Sequence, residues 1–127
     1  MEIVISNASD KPIYEQISSQ IKDLVLSGEL NQGDQLPSIR ALANDLHISV
    51  ITTKRAYTDL EALGFLETVP GKGSFVAGGN LELMKEEKLR RVEDLLSQVF
   101  AEAKGAGLST EDLIDLIHVL RESDDNE

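Results

Sequence analysis

Apolar residues recur at helical spacing near the start of the chain, where Tyr14, Ile17, Ile21, Leu24 and Val25 fall on one side of a predicted helix. Asp10, followed by Lys11-Pro12, reads as its N-cap with proline in the first turn, and Gly28 ends it. Leu30, Gly33-Asp34 and Leu36-Pro37 make a turn-rich connector. Ser38 then caps a short second helix with Ile39, Leu42, Ala43 and Leu46 facing inward. After a tight His47-Ile48 connection, Ser49 caps a third helix that Gly64 terminates. Its predicted buried face is Thr53, Ala56, Tyr57, Leu60 and Leu63, while Ile51, Lys54, Arg55 and Thr58 point away.

Past Gly64 the period changes from helical to alternating. Phe65-Leu66-Glu67-Thr68-Val69, Pro70-Gly71-Lys72-Gly73 and Ser74-Phe75-Val76-Ala77 read as strand, turn and strand. Three helices followed by a hairpin is the order of a winged helix-turn-helix. Gly78-Gly79-Asn80 reads as a hinge. Beyond it, Leu89, Val92, Leu96, Val99 and Ala103 stripe a long helix that Gly105 and Gly107 break. Ser109, with Asp112 three positions on, caps a last helix carrying Leu113, Leu116, Ile117 and Leu120 on one side. Two such helices cannot bury both stripes against each other, so they need the first domain or a second copy of themselves. The expected class is mainly α with a small β-hairpin: a winged helix-turn-helix domain over 1–77, a hinge over 78–80 and a two-helix dimerisation tail over 81–127.

Composition narrows the function. The 127 residues include no cysteine, which excludes disulfides and thiolate metal sites and suits a reducing cytoplasm. No apolar run approaches the roughly 18 residues of a membrane span, and the N-terminus lacks the pattern of a secretory signal. A cytoplasmic, non-membrane protein is expected. His47 and His118 stand apart without acidic or histidine partners at ligand spacing, and the carboxylates sit on exposed helix faces. No catalytic residue, metal or cofactor is therefore expected.

The candidate chemistry lies at the helix-turn-helix. The N-terminal part of the second helix of such a pair enters the DNA major groove. Here that part is Ser49, Val50, Ile51, Thr52, Thr53, Lys54 and Arg55, with Arg40 on the preceding helix flanking the same groove. Hydroxyls at 49 and 52 can reach phosphate or base edges, and free N–H groups at a helix start favour phosphate. Lys54 and Arg55 add charge. The bland alternative makes Ser49 a cap and the two cations a solvated surface. Gly71-Lys72-Gly73-Ser74 is no nucleotide-binding loop, because position 66 is leucine rather than glycine and a strand follows instead of a helix. As a wing tip, it lets the backbone approach DNA at Gly71 and points Lys72 at phosphate or the minor groove; the alternative is an ordinary hairpin turn.

Charge argues the other way. The formal net charge is -11, with -4 on residues 1–80 and -7 on residues 81–127. Contact, however, depends on charge within a Debye length, about 8 Å at physiological salt, and most of the acidity lies in the tail.

From Pro12 to Val76 the chain resembles the GntR family of bacterial transcription regulators. The resemblance rests on Pro12-Ile13-Tyr14-Glu15-Gln16-Ile17, Gly28-Glu29-Leu30, the run Gly33 to Ala43, Ala56-Tyr57-Thr58-Asp59-Leu60-Glu61, Gly64-Phe65-Leu66, and Gly71 to Val76. The tail is too short for the effector domains of the larger subfamilies and is similar to the dimerisation tail of the YtrA-type subfamily, typically repressors often linked to transporter operons. The resemblance implies a homodimeric repressor on an inverted-repeat DNA operator, with contacts at Arg40, Ser49, Thr52, Lys54, Gly71 and Lys72. Where the family usually has arginine after the serine that opens the reader helix, this chain has Val50. Arginine takes guanine through two hydrogen bonds, worth about 1–3 kcal/mol of discrimination; valine can only pack on a thymine methyl, which implies a less guanine-dependent site or weaker binding. Gly78-Gly79 would also let a small-molecule effector lodge between tail and winged domain. The competing reading, favoured by the net charge and Val50, is a winged-helix protein-interaction module that has lost DNA binding.

Overall fold

The computed structural model describes residues 1–78 and 81–125. It divides into two compact units, Met1–Lys85 and Glu86–Glu127.

The first unit holds α1 (Ile13–Leu26), α2 (Ile39–Leu46), α3 (Val50–Ala62), β1 (Leu66–Val69) and β2 (Gly73–Val76). The apolar spacing does what it predicts. Ile17 and Ile21 of α1 and Ala56 and Leu60 of α3 are wholly buried, and Leu36, Leu42, Phe65, Leu66 and Val76 complete the core. Ser38 Oγ caps α2 by accepting from Ala41 N–H at 3.1 Å. The third helix ends on Leu63 and then Gly64, at φ 87°. Phe65 N–H reaches back to the Leu60 carbonyl at 2.9 Å and Gly64 N–H to the Glu61 carbonyl at 3.0 Å, which satisfies the last carbonyls. Leu63, expected on the buried face, is 49% exposed at the C-cap position, one residue past the last helical residue Ala62.

Three local features depart from the sequence reading. Asp10 does not cap α1: Pro12 holds the N-cap position without a side-chain bond, and its carbonyl accepts from Glu15 and Gln16 N–H, each at 3.1 Å. The preceding arm is instead tied down by two glutamine side chains. Gln16 bonds both the N–H and the carbonyl of Ser6, at 2.9 and 3.0 Å, and Gln20 does the same for Val4, at 2.9 and 2.7 Å. Each carboxamide thus stands in for a neighbouring strand, and Ile3 reaches the core. The connector, in turn, joins the sheet. Gly33 and Leu36 N–H donate to the Val76 and Ser74 carbonyls, each at 2.9 Å, and Val76 N–H donates to the Asp34 carbonyl at 2.8 Å.

The first turn of α4 (Leu81–Ala106) also belongs to this unit, with Leu81 and Met84 packed on the core. Of the expected hinge, Gly79 and Asn80 lie outside the described residues.

The second unit contains the rest of α4 and α5 (Thr110–Asp125). The expected break at Gly105 does not occur. An interior glycine costs a helix only about 1 kcal/mol relative to alanine, and α4 runs through to Ala106. It stops at Gly107, φ 72°, where Leu108 N–H returns to the Ala103 carbonyl at 2.9 Å. Ser109 and Asp112 cap α5 reciprocally: Asp112 N–H donates to Ser109 Oγ at 3.1 Å and Ser109 N–H to the Asp112 carboxylate at 2.9 Å. The Ser109 backbone N–H, and after it the Ser109 side chain, hold the Asp112 carboxyl below its ordinary pKa.

Candidate nucleic-acid interface

Ser49 opens α3 with its hydroxyl proton engaged. It accepts from Thr52 N–H at 3.1 Å and donates to Thr52 Oγ1 at 2.7 Å. The Thr52 hydroxyl therefore keeps its own proton for an outside acceptor. Thr53, wholly buried, donates to the Ser49 carbonyl at 3.1 Å and so holds the first turn from beneath. The rest of that turn is apolar and uncovered: Val50 is 38% exposed and Ile51 81%.

Lys54 and Arg55 are exposed on α3, and Arg40 is exposed in the first turn of α2. They differ in one respect. The Arg55 guanidinium lies 3.7 Å from the centroid of the Tyr14 ring, a cation–π contact that ties α3 to α1 while leaving the N–H edge of the fork accessible. Among the described residues, Arg40, Lys54 and Lys72 have no ion-pair partner. None of the described residues neutralises their charge.

At the wing, Gly71 (φ 76°) and Gly73 (φ 120°) make the turn, with Lys72 N–H closing on the Val69 carbonyl at 2.9 Å. A side chain at Gly71 would meet nothing within 4 Å, so the tip is open to an approaching molecule. Gly73 is different. A Cβ there would lie 2.9 Å from Gln35 Nε2, and that same nitrogen donates to the Lys72 carbonyl at 2.9 Å. Two residues beyond Gln35, the Pro37 carbonyl accepts the Tyr57 hydroxyl of α3 at 2.7 Å. The connector thus bonds to the wing tip on one side and to the third helix on the other. Gln35 and Tyr57 were not among the site candidates; both act through partners 37 and 20 positions away, which local spacing does not reveal.

A capped helix start flanked by unpaired cations, and a glycine-rich wing held to the same helix, are the parts of a duplex-binding head. Residues 13–76 match the family described as "Bacterial regulatory proteins, gntR family". The chain belongs to the gntR family. It is a DNA-binding transcriptional regulator, and the protein-interaction alternative is not favoured. The chain is 37% identical over 111 residues to the HTH-type transcriptional repressor YtrA of Bacillus subtilis, a match covering 87% of this chain and 85% of that one. Among solved structures, a transcriptional regulator from Oenococcus oeni superposes with a TM-score of 0.68 at 33% identity, covering 92% of this chain and 97% of its own. The AraR DNA-binding domain in complex with operator ORX1 gives a TM-score of 0.54 at 26% identity, covering 61% of this chain and 96% of that one.

Beyond the gntR match, the second unit buries little by itself. Among the described residues only Ala103 and Leu113 are buried there. Leu89, Val92, Leu96 and Val99 of α4 are 42–57% exposed, and Leu116, Ile117 and Leu120 of α5 are 46–59% exposed. Leu96, Val99, Phe100, Leu113, Ile117 and Leu120 line an open groove of about 370 Å³ between the two helices. Among the described residues, no cluster of three or more His, Asp or Glu could hold a metal ion, and no helix is long and apolar enough to cross a membrane.

Proposed function

We propose that this gntR regulator works in the cytoplasm as a homodimeric repressor on an inverted-repeat operator. Two copies pair through the α4–α5 face that includes Leu89, Val92, Leu96, Val99, Leu113, Leu116, Ile117 and Leu120. Each copy sets Ser49, Val50, Ile51, Thr52 and Lys54 into one major groove, with Arg40 and Arg55 on the bordering phosphates and Gly71-Lys72 against the flanking backbone. The symmetry of the operator follows from the symmetry of the protein.

The observation that carries the dimer is the row of half-exposed aliphatic side chains on both tail helices. Burying the exposed half of each such side chain is worth about 1 kcal/mol, and a second copy presents a matching face. Repression is supported by the likeness to a named repressor, and operator binding by the likeness to a DNA-binding domain seen on its operator.

The test combines oligomeric state with binding. Wild type should sediment as a dimer and select a two-fold symmetric sequence from random duplexes. Leu96→Asp with Val99→Asp should give a monomer that binds a half-site at least tenfold more weakly than the dimer binds the full site. A monomeric wild type, or a selected site without two-fold symmetry, would overturn the proposal.

A further inference from the structure

Ile51 is the most exposed large hydrophobic residue among those described, at 81%. It occupies the first turn of α3, on the side opposite the buried Thr53, Ala56, Tyr57 and Leu60. Val50, beside it, is 38% exposed. The fold gives no reason for an isoleucine there. The core does not use it, and a polar residue would serve the helix equally well.

We propose that Ile51 reads the 5-methyl group of thymine, so that each operator half-site carries a thymine facing the first turn of α3. The proposal rests on the operator reading above and specifies what that surface recognises. Every base pair presents hydrogen-bond donors or acceptors in the major groove, but thymine adds the one apolar group, its C5-methyl. An isoleucine side chain offers neither donor nor acceptor. Against guanine, cytosine or adenine it strips water from polar edges without replacing the lost hydrogen bonds, which costs free energy. Against a thymine methyl it removes apolar surface from water on both partners. Ile51 therefore selects in two ways, by gain at thymine and by penalty elsewhere. The Thr52 hydroxyl beside it, whose proton is free because Ser49 donates to it, is left for a polar edge or a phosphate.

The experiment begins with the full-length protein and the sequence it selects from random duplexes. Each thymine of the selected half-site is then replaced by deoxyuridine, which removes the methyl and nothing else. At one or two positions per half-site the replacement should weaken wild-type binding about three- to fivefold, the value of one buried methyl. Ile51→Ala, which folds unaltered because the side chain is uncovered, should bind thymine and deoxyuridine operators equally. A selected half-site without thymine there, or the same loss on deoxyuridine in both proteins, would overturn the proposal while leaving the regulator reading intact. If selection enriches no sequence at all, the operator reading falls first and this proposal with it.

Discussion

Tyr57 shows how one side chain joins packing to pH dependence. Its ring is buried on the α3 face that helical spacing marks, and its hydroxyl donates to the Pro37 carbonyl at 2.7 Å. Burial pushes the phenol up from 10.0 to about 12. The folded chain therefore keeps this proton to about pH 12, whereas the unfolded chain releases it near 10. Stability from the buried neutral phenol is complete below pH 10 and falls as the pH rises from 10 toward 12. Denaturant unfolding should show Tyr57→Phe less stable than wild type by about 1 kcal/mol at neutral pH, the value of one hydrogen bond to a half-buried carbonyl. The gap should narrow between pH 10 and 12, and a constant gap would contradict this origin. The face was legible in the sequence; the partner was not, because a 20-residue separation leaves no periodic signature. The same holds for His47. A tight turn is readable at His47-Ile48, but the left-handed conformation of His47, φ 56°, falls on a residue other than glycine.

At the level of elements, the wing is more than a hairpin. Pro70-Gly71-Lys72-Gly73 announces the turn, yet nothing in Gly33-Asp34-Gln35-Leu36 alternates, so the pairing of this segment with β2 could not be read in advance. In the proposed complex Gln35 supports the wing tip, because its carboxamide fills the space beside Gly73 and holds the Lys72 carbonyl. Gln35→Ala should weaken operator binding to about the same degree as Lys72→Ala, and the double variant should bind no worse than Lys72→Ala alone. Additive losses in a binding titration would mean that Gln35 acts independently of the wing tip. The helix caps divide in the same way. Ser38, Ser49 and Ser109 are legible because a cap needs only a hydroxyl and the next turn. The Asp10 expectation fails because Pro12 starts the helix two residues later and the glutamines of α1 hold the arm.

For the whole molecule, the order of three helices, hairpin and two-helix tail was visible from periodicity alone. The placement of the division was harder to see. The first turn of α4 packs Leu81 and Met84 on the head, so the compact units part after Lys85 inside a continuous helix. A helix periodic on both sides of that point carries no mark of the change. Charge is where composition misleads. A net charge of -11 disfavours a polyanion at long range, but Arg40, Lys54 and Lys72, on α2, α3 and the wing, have no ion-pair partner among the described residues. In the proposed complex these few cations meet phosphates. The most direct measurement is operator affinity as a function of salt, for wild type and for Arg40→Ala and Lys54→Ala. Log affinity should fall linearly with log salt, with a slope shallower by about one for each cation removed. A wild-type affinity indifferent to salt, or slopes unchanged in both variants, would contradict these contacts.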